Sequence, residues 1–291
     1  MTKFLIQNNS LVEESKAKIS IDDRGFLFGD GIFETCKIFN SKIYDFKSHH
    51  VRLLAGLKAL KFSAEIDDLE QKSLKLIKKN SVTNGLLKIE ISRGIGSVGY
   101  CPTQSIKPLV LIRTFMERPL PQKISLGIST IKKPPRNCLP IDCKTKQVMS
   151  SILTKIAATE QNFFDCIMLS QQNFISETSS ANIFWVKNNQ IFTPSQDCDM
   201  LAGTIRKRLM KLSPTPIKEV KAKISDLKKA DEIFLTNSAF LVLPVDELVI
   251  KNKQEKFTKK FTKNFGEMFC ELIASDIITQ TGSKDGAECK K

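Results

Sequence analysis

Lys144 sits in the stretch Ile141-Asp142-Cys143-Lys144-Thr145, just ahead of a segment, 148–161, whose apolar residues recur at helical spacing. Further on, Glu177 lies in Phe-Ile-Ser-Glu-Thr-Ser-Ser-Ala-Asn, Gly203-Thr204-Ile205-Arg206 opens another helical segment, and Thr236-Asn237-Ser238 follows a strand-like run at 233–235. A lysine at an element boundary, a later carboxylate and two anion-binding turns make up the set that pyridoxal phosphate chemistry requires. The amine forms a Schiff base, the carboxylate keeps a pyridine nitrogen protonated, and the turns hold a phosphate.

Each part has a bland alternative. A lone lysine in a basic chain is a solvated charge, and only its company singles out Lys144. For catalysis its amine must be desolvated or placed beside another cation, so that it loses its proton near neutrality. Glu177 alone is a turn carboxylate. A Gly-Thr helix start is common, although free N–H groups at a helix N-terminus do bind anions. Arg52, on an earlier helical segment, is either a surface arginine or the counter-charge to the phosphate. The glycine turns 22–25 and 28–31 match neither a dinucleotide fingerprint nor a P-loop.

The elements that must position these residues form two α/β units. Strands are expected at 3–7, 18–21, 31–39, 42–45, 85–93 and 109–114, with a turn at 22–25 and another at Asn40-Ser41. A helix at 48–60 places Val51, Leu54, Leu57 and Leu60 on one face, and a second helix runs over 67–80. Prolines in Phe115-Met116-Glu117-Arg118-Pro119-Leu120-Pro121 mark a linker, because they suit neither helix nor central strand. The expected division is a smaller N-terminal α/β domain at 1–115, a linker at 116–122, a larger domain carrying Lys144 at 123–281, and a disordered tail at 282–291. The second domain is expected to have strands at 124–130, 166–170, 181–187, 190–193 and 233–236. Its helices are placed at 148–161, 203–212 and 257–278.

With 291 residues and 41% hydrophobic content, the chain can bury two ordinary cores. No apolar run is long enough to span a bilayer, and the N-terminal apolar run is too short for a signal peptide. The eight cysteines contain no C-x-x-C, and no histidine lies at a metal-ligand spacing, so reduced thiols and a cytoplasmic location are expected. The net charge of +14 comes mainly from lysines spread along the chain, densest at 251–263. Without a zinc finger, RNA-recognition signature or Arg-rich arm, this reads as a lysine-rich solvated surface suited to a small anionic substrate, not as a nucleic-acid or membrane partner.

Taken in order, the motifs from Ile19 to Val245 resemble the class IV aminotransferase family, the fold-type IV pyridoxal phosphate enzymes. They are Asp23-Arg24-Gly25-Phe26 with Phe28-Gly29-Asp30-Gly31-Ile32-Phe33-Glu34-Thr35, His49-x-x-Arg52-Leu53, Ser92-Arg93-Gly94, the Lys144 segment, and Glu177 with 179–182. Thr193-Pro194, Leu201-Ala202-Gly203 with Arg206, and Pro244-Val245 complete the set. The resemblance implies a two-domain α/β fold of α+β type, with mixed sheets and flanking helices, working as a homodimer. It makes Lys144 the Schiff-base lysine, with Ile152-Leu153 at the family's offset from it, and Lys146 and Lys155 fit that register less well. It gives Arg52 to the phosphate, Glu177 to the pyridine nitrogen and Leu201 to the cofactor ring. The Thr204 and Ile205 N–H groups and the Ser238 hydroxyl would complete the phosphate site.

Within the family, Thr35, Asn237 and the run Arg93-Gly94-Ile95-Gly96-Ser97-Val98-Gly99-Tyr100 look most like 4-amino-4-deoxychorismate lyase. That enzyme releases pyruvate and 4-aminobenzoate in folate precursor synthesis. On this reading Thr35 helps protonate the departing group, and Asn237 and Arg93 face the substrate. The lyase pattern has an arginine where this chain has Val98, with Arg93, Lys37 and Lys107 as possible substitutes. Met149 stands where branched-chain enzymes carry a tyrosine, and the Arg-x-His pair of D-amino acid enzymes is absent. The alternative is an aminotransferase for branched-chain or D-amino acids, using the same Lys144 and Glu177.

Overall fold

The structure, a computed structural model, describes residues 3–96, 99–102, 106–138, 140, 143–251 and 253–282, with side chains of the last helix as far as Ile273. The N-terminal part contains β1 (Phe4–Gln7), β2 (Ser10–Glu13), α1 (Arg24–Phe28), β3 (Gly31–Phe39), β4 (Lys42–Ile43), α2 (Phe46–Ala59), α3 (Leu69–Lys79), β5 (Gly85–Ser92) and β6 (Leu109–Met116). Its strands form a six-stranded antiparallel sheet in the order β2-β1-β6-β5-β3-β4.

The alternation of β3 decides what lies on each side of this sheet. Ile32, Glu34, Cys36 and Ile38 point into the core under α2 and α3, and all four are buried. Phe33, Thr35 and Lys37 point the other way, toward the rest of the chain. On α2 the buried row is Phe46, His49, Leu53, Gly56 and Leu57. Gly56 lets the helix approach closely there, since a Cβ would stand 3.1 Å from Ile32 Cγ2. His49 and Arg52 therefore descend from the helix onto Glu34.

The C-terminal part contains β7 (Ser125–Ile128), α4 (Met149–Glu160), β8 (Asp165–Leu169), β9 (Ile175–Thr178), β10 (Asn182–Lys187), β11 (Gln190–Pro194), α5 (Thr204–Leu212), β12 (Ile217–Val220) and α6 (Ile224–Leu227). It continues with β13 (Glu232–Asn237), β14 (Leu241–Pro244), β15 (Glu247–Ile250), β16 (Lys253–Lys256) and α7 (Lys260–Gly282). The sheet is mixed, with parallel pairs β7–β8, β7–β15 and β11–β12 and antiparallel neighbours elsewhere. Glu177, Asn182 and Thr236 are partners across β9, β10 and β13, which places an acid and a hydroxyl in one row. Further along the same face of β10 and β13, the Phe184 and Phe234 rings stack and are covered by helices α5 and α7.

Several elements differ from the sequence expectation. Residues 18–21 form no strand, and Ile19 and Ile21 are exposed. At 22–25 the chain does not merely turn. Asp23 caps α1, its Oδ1 accepting from the N–H groups of Gly25 and Phe26 while Oδ2 accepts from Ser92 Oγ. The apolar face of α2 is also displaced: Val51 and Leu54 are exposed, and Leu53 faces the core instead. Counting only aliphatic side chains had hidden this, because Phe46, His49 and Gly56 complete the buried row. Helix α7 starts at Lys260 instead of 257 and runs to Gly282, and the tail beyond that residue lies outside the described residues. The short strands β2, β9, β12, β14, β15 and β16 were not anticipated, because four residues carry little periodicity.

The corrected face of α2 can be tested within one helix. Leu53→Ala should cost about 2–5 kcal/mol of unfolding free energy, as for a buried leucine, whereas Leu54→Ala should stay within about 0.5 kcal/mol. Denaturant titration of both variants reads the difference, and equal losses would contradict the assignment.

Candidate active site

A cavity of about 490 Å³ opens between the two sheets. Its wall includes Phe33 and Thr35 of β3, Arg52 of α2, Lys144, Glu177 of β9, Asn182 of β10, Leu201, the start of α5 from Gly203 to Ile205, and residues 236–239. A concavity of this size suits a small molecule.

Lys144 comes late in the sequence, yet the N-terminal sheet fixes its backbone. The Phe33 N–H donates to the Lys144 carbonyl at 2.8 Å, and the Lys146 N–H donates to the Gly31 carbonyl at 2.9 Å. The segment thus anneals to the first residues of β3 as an extra antiparallel bridge between Ile32 and Thr145. Its Nζ sits 4.6 Å from the centre of the Phe33 ring. Burial, and then the nearby Arg52 charge, lower the amine pKa to about 8. A tenth or so of such amines is unprotonated at neutral pH, against fewer than one in a thousand for an ordinary lysine.

Arg52 is held by two charge-assisted bonds to Glu34, Nε to Oε1 at 2.7 Å and Nη2 to Oε2 at 2.8 Å. His49 Nδ1 lies 2.7 Å from the same carboxylate, and its Nε2 lies 3.3 Å from Thr204 Oγ1. The remaining arm of Arg52 donates to the Ala202 carbonyl at 3.2 Å. Burial alone would raise the Glu34 pKa. The hydrogen bond and charge of Arg52, with His49, outweigh it and bring the carboxyl to about 2.

Across the cavity, Glu177 Oε1 pairs with Lys133 Nζ at 2.7 Å, and Oε2 accepts from Asn182 Nδ2 at 3.2 Å. Asn182 Nδ2 also donates to the Leu201 carbonyl at 2.8 Å. Gly203 is obligatory beside it, since a Cβ there would stand 2.1 Å from Asn182 Oδ1. The start of α5 is thereby drawn against the acid's own strand neighbour. At the facing turn, Thr236 Oγ1 is buried without a hydrogen-bond partner. Asn237 Oδ1 accepts from the N–H groups of Ala239 and Phe240, which folds residues 237–240 into a tight turn presenting Ser238.

The structure brings Lys144, Thr35, Arg52, Glu177, Leu201, Thr204, Ile205, Asn237 and Ser238 to one cavity. Arg93 is elsewhere. Its guanidinium binds Asp30 and donates to the Leu60 carbonyl, bracing the loop built by Asp30, so it is not free for a substrate. The Asn237 amide is likewise spent on its turn and on the Ser180 carbonyl, which makes it a builder of the site more than a substrate contact. Lys37 is buried against Glu117 and the Ala239 carbonyl, and Lys107 is exposed, so neither lines the wall. Val98 lies outside the described residues. Lys146 pairs with Glu90, and the Lys155 ammonium donates to the Phe164 carbonyl. The sequence offered no role for Glu34 or His49 beyond their place in motifs, and Lys133, in Ile-Lys-Lys-Pro-Pro, read as one more surface lysine.

The amino-transferase class IV model matches residues 31–248. The D-alanine aminotransferase of Staphylococcus epidermidis is 29% identical over 262 residues, covering 88% of this chain and 92% of that enzyme. Among solved structures, the branched-chain amino acid aminotransferase of Escherichia coli superposes with a TM-score of 0.87 at 23% identity, covering 94% of this chain and 95% of that one. The 4-amino-4-deoxychorismate lyase of Pseudomonas aeruginosa superposes with a TM-score of 0.76 at 22% identity, covering 88% and 95%. With its mixed α/β fold of two sheets and flanking helices, the chain belongs to the class IV aminotransferase family of pyridoxal phosphate enzymes.

The Glu34 network makes a pH-dependent contribution to stability. Its pKa falls from 4.5 to about 2, so folding gains about 3 kcal/mol from this ionisation at neutral pH. A lowered carboxyl pKa means that this gain is complete above pH 4.5 and disappears as pH falls through about 2. Glu34→Gln should therefore be less stable than the parent at pH 7, with a gap that narrows in acid. Thermal unfolding across that window checks it, and a pH-independent gap would remove Glu34 as the source.

Proposed function

We propose that this protein is a pyridoxal phosphate-dependent aminotransferase for a small amino acid, with Lys144 as the residue that binds the cofactor covalently. The observation carrying this reading is the Lys144 amine, which lines one cavity with Arg52 and Glu177 and has its pKa lowered to about 8. The cavity's donors suit the cofactor. The Arg52 guanidinium, the N–H groups of Thr204 and Ile205, the Ser238 hydroxyl and the orphaned Thr236 hydroxyl can take a phosphate between them. Glu177 faces them as an acceptor for a pyridine N–H, and Leu201 offers an apolar contact for a ring. When bound, the cofactor supplies an aldehyde for the amine and an electron sink for the charge left at an amino acid's α-carbon.

The protein's part is to hold these groups and move protons. Lys144, whose amine loses its proton more readily than an ordinary lysine, can take a proton from a substrate carbon and return it to another position. Phe33 walls one side of that amine, and Thr35 stands two residues along the same face of β3. An aminotransferase must admit a donor and an acceptor in turn through one opening. The 29% identity to a D-alanine aminotransferase over 88% of the chain favours this activity.

The lyase that the motifs suggested becomes the second reading. Thr35 on the cavity wall favours it, as a hydroxyl near a departing group, but the lyase structure superposes less completely than the aminotransferase. We also infer a cytoplasmic homodimer. None of the described cysteines forms a disulfide, and Met149, Ile152, Leu153 and Ile156 leave an apolar surface on α4 that a second copy would cover. Among the described residues no helix is long and apolar enough to cross a membrane.

Purified protein mixed with pyridoxal phosphate should gain a visible absorption band that Lys144→Ala lacks, and the rate of attachment should rise as pH passes about 8. D-alanine, branched-chain amino acids and aminodeoxychorismate are then supplied separately, the first two with 2-oxoglutarate. Glutamate formation supports the aminotransferase. Equal release of pyruvate and 4-aminobenzoate from aminodeoxychorismate, without glutamate from the others, would establish the lyase instead. A band that survives in Lys144→Ala would reject Lys144.

A further inference from the structure

We propose that Lys133 is a positioning residue of the active site, whose ammonium fixes the Glu177 carboxylate toward the cavity and forms part of the charge environment of Lys144. This rests on the cofactor reading above and adds to it a residue that no sequence motif singled out.

Lys133 is built into place. Its backbone N–H donates to the Leu169 carbonyl at 2.9 Å, and its carbonyl accepts from Gln171 Nε2 at 2.8 Å. Pro134 and Pro135 follow and restrict the backbone immediately after it. The residue thus lies against the end of β8, beside the β8–β9 hairpin that carries Glu177. Its neighbour Lys132 turns to solvent and donates to the Gln171 carbonyl. The Lys133 side chain turns inward, is only 13% exposed, and reaches Glu177 at 2.7 Å, where the acid is 9% exposed.

Both residues line the cavity that contains Lys144. A carboxylate this buried needs a counter-charge, and Arg52 is already paired with Glu34 at the other end. Lys133 supplies that charge from behind. Together with the Asn182 amide on the second oxygen, it leaves the carboxylate's remaining lone pairs to accept from a ring N–H. The same ammonium contributes to holding the Lys144 pKa down. One cation therefore acts on both the acid and the amine. A purely structural salt bridge would affect stability but not the titration of Lys144.

The test begins on apo-protein. Acetylation of Lys144 is followed by peptide mass across the pH range in which amines titrate, for the parent, Lys133→Met and Lys133→Arg. Affinity for pyridoxal phosphate is then measured from the visible band, with Lys133→Met also placed in a Glu177→Gln background. Lys133→Met should move the Lys144 midpoint to higher pH and weaken cofactor binding by about ten-fold, or about 1.4 kcal/mol. Lys133→Arg should restore both, and Lys133→Met should add little once Glu177 is Gln. An unmoved midpoint in Lys133→Met overturns the proposal, as does an equal loss in Lys133→Arg or a full extra loss in the Glu177→Gln background. If Lys133→Met does not fold by circular dichroism, Lys133→Gln keeps much of the stem and removes only the charge. A parent that shows the Lys133-dependent midpoint but takes up no pyridoxal phosphate would reject the cofactor reading and leave the Lys133–Glu177–Lys144 coupling standing.

Discussion

The Glu34–Arg52 pair is the interaction on which the site depends. A carboxylate on the core face of β3 is costly unless it is paired and fully hydrogen-bonded, and Arg52 and His49 from α2 satisfy both requirements. The bidentate geometry leaves the guanidinium little freedom, so its free edge points across the seam to the carbonyl of Ala202. His49 reaches the same seam at Thr204. One buried acid in the N-terminal sheet thus sets where the start of α5 must lie. It also supplies the cation that helps to strip the proton from Lys144.

The two carboxylates nearest the cavity are held in opposite ways. Glu34 is saturated and faces away from any ligand, so its charge serves only to orient Arg52. Glu177 is held from behind by Lys133 and from the side by Asn182, and keeps an unfilled edge on the cavity. The difference follows from the strand rows. Glu34 alternates into a core row with Ile32, Cys36 and Ile38, whereas Glu177 lies in a polar row with Asn182 and Thr236. An acid in the first kind of row becomes scaffold, and one in the second can meet a ligand.

This distinction explains what the sequence disclosed. Lys144, Glu177, Arg52 and the Gly203 turn were legible because each sits in a local pattern whose chemistry depends on its immediate neighbours. The strand Gly31–Phe39 and the helix starting at Thr204 were legible because their periodicity is long or their first turn distinctive. Arg93 stands off the cavity, and Asn237 lines it with its amide engaged, because a polar side chain's partners come from remote segments: Asp30 and the end of α2 for one, Ser180 for the other. Lys133 was invisible for the same reason. In a chain with 45 basic residues, only tertiary packing distinguishes the inward lysine from Lys132 beside it.

The seam also explains why so many site residues come from far apart in the chain. Lys144 follows the linker in sequence, but its backbone bonds are to Gly31 and Phe33 of the first sheet. Arg52 belongs to the first sheet's helix, but its free arm bonds the turn before α5. Each half thus contributes a main-chain clamp and a charge to the other, and the cavity between them exists only when both are in register. A ligand whose anionic end lies between Arg52 and α5, and whose ring faces Glu177, would touch both halves at once. Its binding energy would then add directly to the cohesion of the two sheets, because it binds the assembled state and not the separated one. On this construction the chemistry and the docking of the two sheets are one problem, solved by the same few buried charges.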